Sequence, residues 1–268
     1  MKLNQKLNLP KQYFSKLMRA VVEFNMLKSE DKILIGLSGG KDSLFLLYAL
    51  AFLKTKLHDK FSLYALNIDP MFNNSFSDTT AAIMEEYCGN LNIPFTSIKT
   101  DIYGAIKNQK NKKPCFTCSY FRRGAVNRYA KEIGCNKIAY AHHKDDAVET
   151  FFMSLIYSGQ LETFSPVTYL NRTDLTVIRP LVYFREYEIE DAIKLTGFTP
   201  IKNPCPFDGN TKRQRTKEII QDLSQNITDF FPHLESAMRE SALGELWPNA
   251  KTKNEMKVDY FKYIKGEY

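Results

Sequence analysis

The 268-residue chain has no long apolar run: the longest, Leu44 to Leu53, covers ten residues. A membrane-spanning helix needs ~20, so no span is expected. The opening residues, MKLNQKLNLPKQYF, hold no apolar stretch before a small-residue cleavage site, which argues against a secretory signal. Internal repeats and low-complexity tracts are also missing. Cysteine is scarce and odd in number, at five. Without a signal, that count speaks against a disulfide framework and for thiol or metal chemistry in a reducing cytoplasm. What is present is an ordinary globular composition, 44% hydrophobic and 25% charged, which leaves no room for extended disorder or a collagen-like chain. The length suffices for one large domain, or a domain with an added lobe.

Acidic residues are missing from one region in particular. Between positions 107 and 137 there are nine basic residues and a single acid, Glu132, so this segment carries +8 against +7 for the whole chain. A second cluster, TKRQRTK at 211–217, adds four basic residues in seven. Such concentration is the footprint of a polyanion partner, because each phosphate neutralised releases counterions. Both clusters flank cysteines, which places the expected nucleic-acid face beside a reaction centre. Its candidate contacts are Lys110, Lys112, Lys113, Arg123, Arg128, Lys212, Arg213 and Arg215.

Residues 1–31 read as an N-terminal helical arm, with Phe14, Leu17, Met18, Val21, Val22 and Phe24 at roughly helical spacing. From 32 to 201, strand signals at 32–37, 61–69, 95–100, 136–143 and 175–181 alternate with helical ones at 44–54, 77–91, 119–133 and 145–159. That order predicts an α/β fold: a doubly wound parallel sheet of about five strands, covered on both faces. The segment 202–268 reads as a cysteine-bearing loop, C-terminal helices and a polar tail.

Two motifs carry chemistry. Ser38-Gly39-Gly40-Lys41-Asp42-Ser43 lies between an apolar strand and an apolar helix. Glycines let backbone approach an anion, and the first N–H groups of the helix lack intrahelical partners, so the loop is an anion cradle at a positive dipole end. It is neither a Walker A loop, which needs Gly at 35 and Ser or Thr at 42, nor a GxGxxG fingerprint. The second motif is Cys115-Phe116-Thr117-Cys118, expected just before a helix capped by Ser119, together with Cys205 in the Asn203-Pro204-Cys205-Pro206 loop. Zinc, an iron–sulfur cluster or a redox disulfide can each use CxxC. A zinc ribbon would want a second CxxC, whereas three cysteines match a cluster with one iron left without a protein ligand. Cys88 and Cys135 read as buried structural thiols.

SGGKDS in this setting resembles the PP-loop of the ATP pyrophosphatase superfamily. PCFTCSYFRRGA, AHHKDD at 141–146, VIRPL at 177–181 and NPC…KRQR at 203–215 follow in an order similar to the tRNA 2-thiocytidine synthetase group of that superfamily. The resemblance covers residues 30–220 and implies an adenine-nucleotide α-hydrolase fold. It implies that ATP is held by Ser38, Gly39, Gly40, Lys41, Asp42 and Ser43, with its adenine gripped by backbone around Leu66 and Asn67, and with Ala141 and His142 lining the pocket. Ala141 is a departure, since the family usually has Gly there. The resemblance further implies Mg²⁺, a [4Fe–4S] cluster on Cys115, Cys118 and Cys205, and tRNA as acceptor. Lys41, Asp42, Asp145, Asp146 and Arg122 are the implied catalytic groups. The sulfur donor, a cysteine desulfurase or sulfide, and a homodimeric state are open expectations. Two alternatives stand beside this reading. One is a PP-loop amide or lysidine synthetase without a cluster; the other is a metal-binding RNA-binding module with a non-catalytic nucleotide fold.

Overall fold

The first strand, β1 (Lys32–Gly36), shows why the sheet lies in the middle of the molecule. Its side chains alternate between two separate apolar clusters, Ile33 and Ile35 on one face and Leu34 on the other, all fully buried. The computed structural model describes residues 7–57, 60–72, 78–108, 114–201, 205–207 and 212–239, with a few positions between 252 and 258. Beside β1 run β2 (Ser62–Asp69), β3 (Phe95–Lys99), β4 (Lys137–Ala139), β5 (Val167–Leu170) and β6 (Leu175–Ile178), in the spatial order β3-β2-β1-β4-β6-β5. All pairs are parallel except β5 with β6. The chain leaves β1 toward β2 and β3, then returns to place β4 on its other side. That reversal opens a crevice at the carboxyl ends of β1 and β4, where ligands bind in open α/β sheets.

Helices cover both faces. One face carries α1 (Lys11–Glu23), α2 (Lys41–Lys56), α3 (Asp78–Asn90) and α7 (Glu186–Ile193); the other carries α4 (Ile102–Lys107) and α5 (Pro114–Glu132). In α2 every residue from Ser43 to Leu53 is buried, the pattern of a helix apolar all round and enclosed on every side. Helix α1 is part of this core: Tyr13, Leu17, Ala20 and Val21 pack within the larger cluster. Beneath the sheet, the buried Lys137 ammonium is satisfied by Asp31 at 2.6 Å and the Met26 carbonyl at 2.8 Å, as a buried charge requires. Helices α6 (Lys144–Ser158), α8 (Lys212–Asn226) and α9 (Phe230–Ala237) share a small third cluster of Val148, Ile220 and Phe230.

Three expectations need correction. The sheet has six strands, not about five: VTYL at 167–170 pairs antiparallel with β6, and its four half-exposed residues gave no apolar run to signal it. The connection at 101–118 is interrupted by α4, capped where Asp101 accepts the Gly104 N–H at 2.8 Å. Helix α5 starts at Pro114, not near 119, so both cysteines lie inside its first turns and Ser119 is not a cap. Proline suits a first helical position, where its missing N–H costs nothing.

Candidate active site

The phosphate loop follows β1 and is held by short local bonds. The Ser38 N–H donates to Ser43 Oγ at 3.1 Å, Ser43 Oγ donates to the Gly40 carbonyl at 3.0 Å, and the two serine hydroxyls lie 3.0 Å apart. Gly39 has φ +82°, and a Cβ there would meet Ile201 at 3.2 Å. The Gly39 carbonyl accepts the Ile201 N–H at 2.8 Å, so backbone closes over backbone. Gly40 caps α2, whose first N–H groups face the loop. Asn67 braces the strand before the loop, donating to the Leu37 carbonyl at 2.8 Å. The Leu37 N–H in turn donates to Leu66 O at 2.9 Å. Ile68, two residues on, points its N–H and C=O to the same side as Leu66 but beyond the last β1 partner, at the crevice.

The crevice is a cavity of about 800 Å³. The phosphate loop forms one wall through Ser38, Gly40, Asp42 and Ser43. Cys115, Cys118, Arg122 and Arg123 of α5 form another, with Cys205 and Phe207 beside them. Tyr140, Ala141 and His142 supply the floor after β4, and Asp146, Arg179 and Arg213 close the remaining side. Cys115 is exposed, Cys118 and Cys205 are half-buried, and all five cysteines are thiols rather than disulfides. Burial raises the Cys118 thiol, with Cys205 and Cys115 pushing the same way and Arg122 opposing. Among the described residues no three His, Cys, Asp or Glu side chains already stand at metal-ligand spacing. Three side-chain nitrogens on this cavity, Arg122 Nε, His142 Nδ1 and Arg179 Nε, are buried without a hydrogen-bond partner. Buried polar atoms are rarely left so; here all three belong to residues that line the cavity.

Behind the loop lies a charged lattice. Lys41 Nζ pairs with Asp42 at 3.2 Å and Glu186 at 3.0 Å. Burial would lower its pKa, but these two carboxylates raise it. Glu186 also holds Lys217 at 2.6 Å. The acidic pair of α6 divides its labour. Asp145 turns inward, accepting the Glu186 N–H at 2.7 Å and Arg185 Nε at 3.0 Å. Burial opposes its ionisation, yet the His143 hydrogen bond, Arg185 and the Glu186 N–H bring it down to about 2. Asp146 accepts the His143 N–H at 3.0 Å, capping the helix, and presents its other oxygen to Arg213 at 3.0 Å. Burial pulls the His143 pKa down, but Asp145, Asp146 and Asp42 together raise it. His142 is driven to about 4 by burial, only partly countered by Asp146, and is therefore neutral at pH 7.

Such a loop, at such an edge, has a family. A model described as PP-loop domain matches residues 10–223. The chain belongs to the PP-loop family. It is 36% identical over 234 residues to the tRNA-cytidine(32) 2-sulfurtransferase of Pelobacter propionicus, covering 86% of this chain and 84% of that protein. The protein of the same name from Aeromonas salmonicida is 36% identical over 207 residues, covering 76% and 67%. Among solved structures, the U34-tRNA thiolase NcsA from Methanococcus maripaludis with its [4Fe–4S] cluster superposes with a TM-score of 0.70 at 20% identity, over 95% of this chain and 87% of that one. At that identity the match shows a shared fold.

Within this PP-loop site, most of the residues singled out from sequence meet at the cavity. Lys41, Gly39 and Asp145 stand behind its surface, Lys41 with its ammonium turned to Glu186. Arg128 and Arg215 are exposed away from it, and Lys212 lies over the Tyr157 ring at 4.6 Å. Lys110, Lys112 and Lys113 fall outside the described residues. Arg213, expected at RNA, is bound to Asp146 and, at 3.5 Å, to Glu149. Sequence reasoning missed Arg179, whose Nη1 donates to Ser165 O at 2.6 Å, although it sits inside the VIRPL run quoted for the resemblance. It also missed Tyr140, Phe164 and Glu186, which carry no motif signal of their own. No helix among the described residues is long and apolar enough to cross a membrane.

Proposed function

We propose that this PP-loop protein is an ATP-dependent tRNA sulfurtransferase that replaces the C2 oxygen of a cytidine with sulfur. One observation carries the reading: a single cavity is lined by the phosphate loop on one wall and by Cys115, Cys118 and Cys205 on another. The substrate class follows the names of the sulfurtransferase relatives.

The loop N–H groups and the start of α2 would hold the pyrophosphate of ATP, with Lys41 released from Glu186 to neutralise it. The exposed edge of Ile68 would pair with adenine. Asp42, on the cavity wall, would hold Mg²⁺. The C2 oxygen of a pyrimidine is a poor leaving group; esterified to AMP, it becomes a good one. Arg122 and Arg179 would steady the charge that develops there. Asp146, oriented by Arg213, is the cavity's candidate for moving a proton, whereas Asp145 fixes α6 against α7. The three thiols suit a [4Fe–4S] cluster: two come from one helix face three residues apart, the third from the facing loop, and Arg122 offsets the negative charge. When bound, the cluster supplies an iron through which sulfur reaches the base. The sulfur comes from sulfide or a cysteine desulfurase, and such thiol ligation suits a reducing cytoplasm.

Anaerobically reconstituted protein given ATP, sulfide and unmodified tRNA should yield AMP, pyrophosphate and 2-thiocytidine, read by nucleoside mass spectrometry. An amidated nucleoside, or a colourless zinc-loaded protein that still turns over, would overturn it. The amide-synthetase alternative is disfavoured because it gives three thiols in the nucleotide cavity no task.

A further inference from the structure

Helix α5 carries its least expected side chains on its outside. Phe116 is 65% exposed and Tyr120 63%, while Val126 and Ala130 are buried in the cluster against the sheet. Phe116, Tyr120, Arg123 and Asn127 are spaced by four, three and four residues, and so lie along one line of the helix. The adjoining line, Cys115, Ser119, Arg122 and Val126, lines the cavity. The aromatic stripe is therefore the rim of the active site. We propose that Phe116 and Tyr120 form a stacking platform for unpaired RNA bases flanking the one that enters the cavity; this rests on the tRNA sulfurtransferase reading.

Three features support this occupant. The Tyr120 and Phe121 rings meet edge to face, with centroids 5.6 Å apart and planes at 88°, and this contact restrains how either ring turns. Arg123 donates Nε to the Ser119 carbonyl at 3.2 Å, which fixes it at the cavity edge on the same line of the helix as the two rings. The charge around the stripe has one sign: Arg123, Arg128 and Lys131 are exposed on α5, and the helix holds no acid before Glu132. Aromatic faces ringed by cations match a polyanion whose bases offer π faces. A second copy of the chain laid on the same stripe would bring two wholly basic helix faces together, so self-association is the poorer fit.

The test uses cluster-loaded full-length protein and an unmodified tRNA transcript, with Kd measured across a range of salt concentrations. Phe116→Ala and Tyr120→Ala should each weaken binding about tenfold and leave the slope of log Kd against log salt unchanged. Phe116→Trp and Tyr120→Phe should bind like the parent. Both positions are exposed, so iron content and melting temperature should stay at parental values. Parental affinity in the double alanine variant would overturn the platform while leaving the enzyme reading standing. A flattened salt slope would overturn it too, by assigning the face to phosphate contacts. A parental dimer that the double variant splits, with tRNA affinity intact, would give the stripe to a second copy. Failure of the parent itself to bind tRNA would remove the reading beneath the proposal, and the platform with it.

Discussion

The phosphate-loop wall is made of consecutive residues, 38–43, bonded to each other, while the thiol wall joins Cys115 and Cys118 to a cysteine 90 positions later (205 minus 115). The first wall has its bonds before any ligand arrives: both serines, Gly40 and the α2 N-terminus are already in register. On the second, Cys115 is exposed and no ligand triad stands at metal spacing among the described residues. On the proposed reading, a nucleotide would meet a cradle already bonded, whereas a cluster would draw together thiols from distant parts of the chain. Binding and folding would then be separable on the first wall and coupled on the second.

The sharpest way to break this contrast is Lys41→Ala. It should reduce AMP formation by at least ~100-fold, as loss of a cation from a developing anion does, and leave iron content unchanged. Persistent ATP cleavage would make the loop a mere turn. Cys205→Ala should do the converse, losing the cluster as fully as Cys115→Ala or Cys118→Ala while nucleotide binding survives. Cys88→Ala and Cys135→Ala should keep the iron, since both thiols are buried in the apolar clusters and neither lines the cavity. Iron and acid-labile sulfide assays decide between these outcomes.

Asp145→Asn tests the brace behind both walls. The Asp145 pKa is lowered from 3.8 to about 2 in the folded protein. Its ionised form therefore contributes stability above its unfolded pKa, and that contribution fades as pH falls toward 2. The variant should lose about 2 kcal/mol at pH 7, with the gap closing below pH 4 in denaturant titrations. Gly39→Ala places a left-handed φ on a residue with a Cβ and presses it on Ile201, costing about 1–2 kcal/mol and raising the KM for ATP. The smallest effect per residue is expected from the joint change of Lys110, Lys112 and Lys113 to Ala. It should flatten the salt dependence of tRNA binding by ~2–3 units of slope, at roughly 0.7–0.9 per phosphate contact. A parental slope would return this stretch to plain solvated surface.

The same contrast governs what could be read from sequence. SGGKDS was legible because its bonds are local, so residue spacing alone encodes the cradle. The parallel sheet was legible because fully buried strands such as β1 are continuous apolar runs. The edge strand β5 was not, since half its meaning lies in its partner β6. Helix α7 was missed because only eight residues form it, with Ile189, Ala192 and Ile193 as its buried side. Glu186 and Arg179 were invisible for a related reason: a lone charged residue gains its role from groups far off in the chain. The cysteines could be grouped by type and neighbours, but the correct helix start needed Pro114 to be taken as an opening residue rather than as a breaker.

The bond from the Ile201 N–H to the Gly39 carbonyl has a mechanical consequence. Four peptide units separate Ile201 from Cys205, a leash that spans at most about 14 Å fully drawn out. The third thiol is therefore tethered to the very turn that wraps the nucleotide's phosphates. As long as that one bond holds, Cys205 stays within this reach of Ile201, and so of the phosphate loop, however the rest of the cavity is filled.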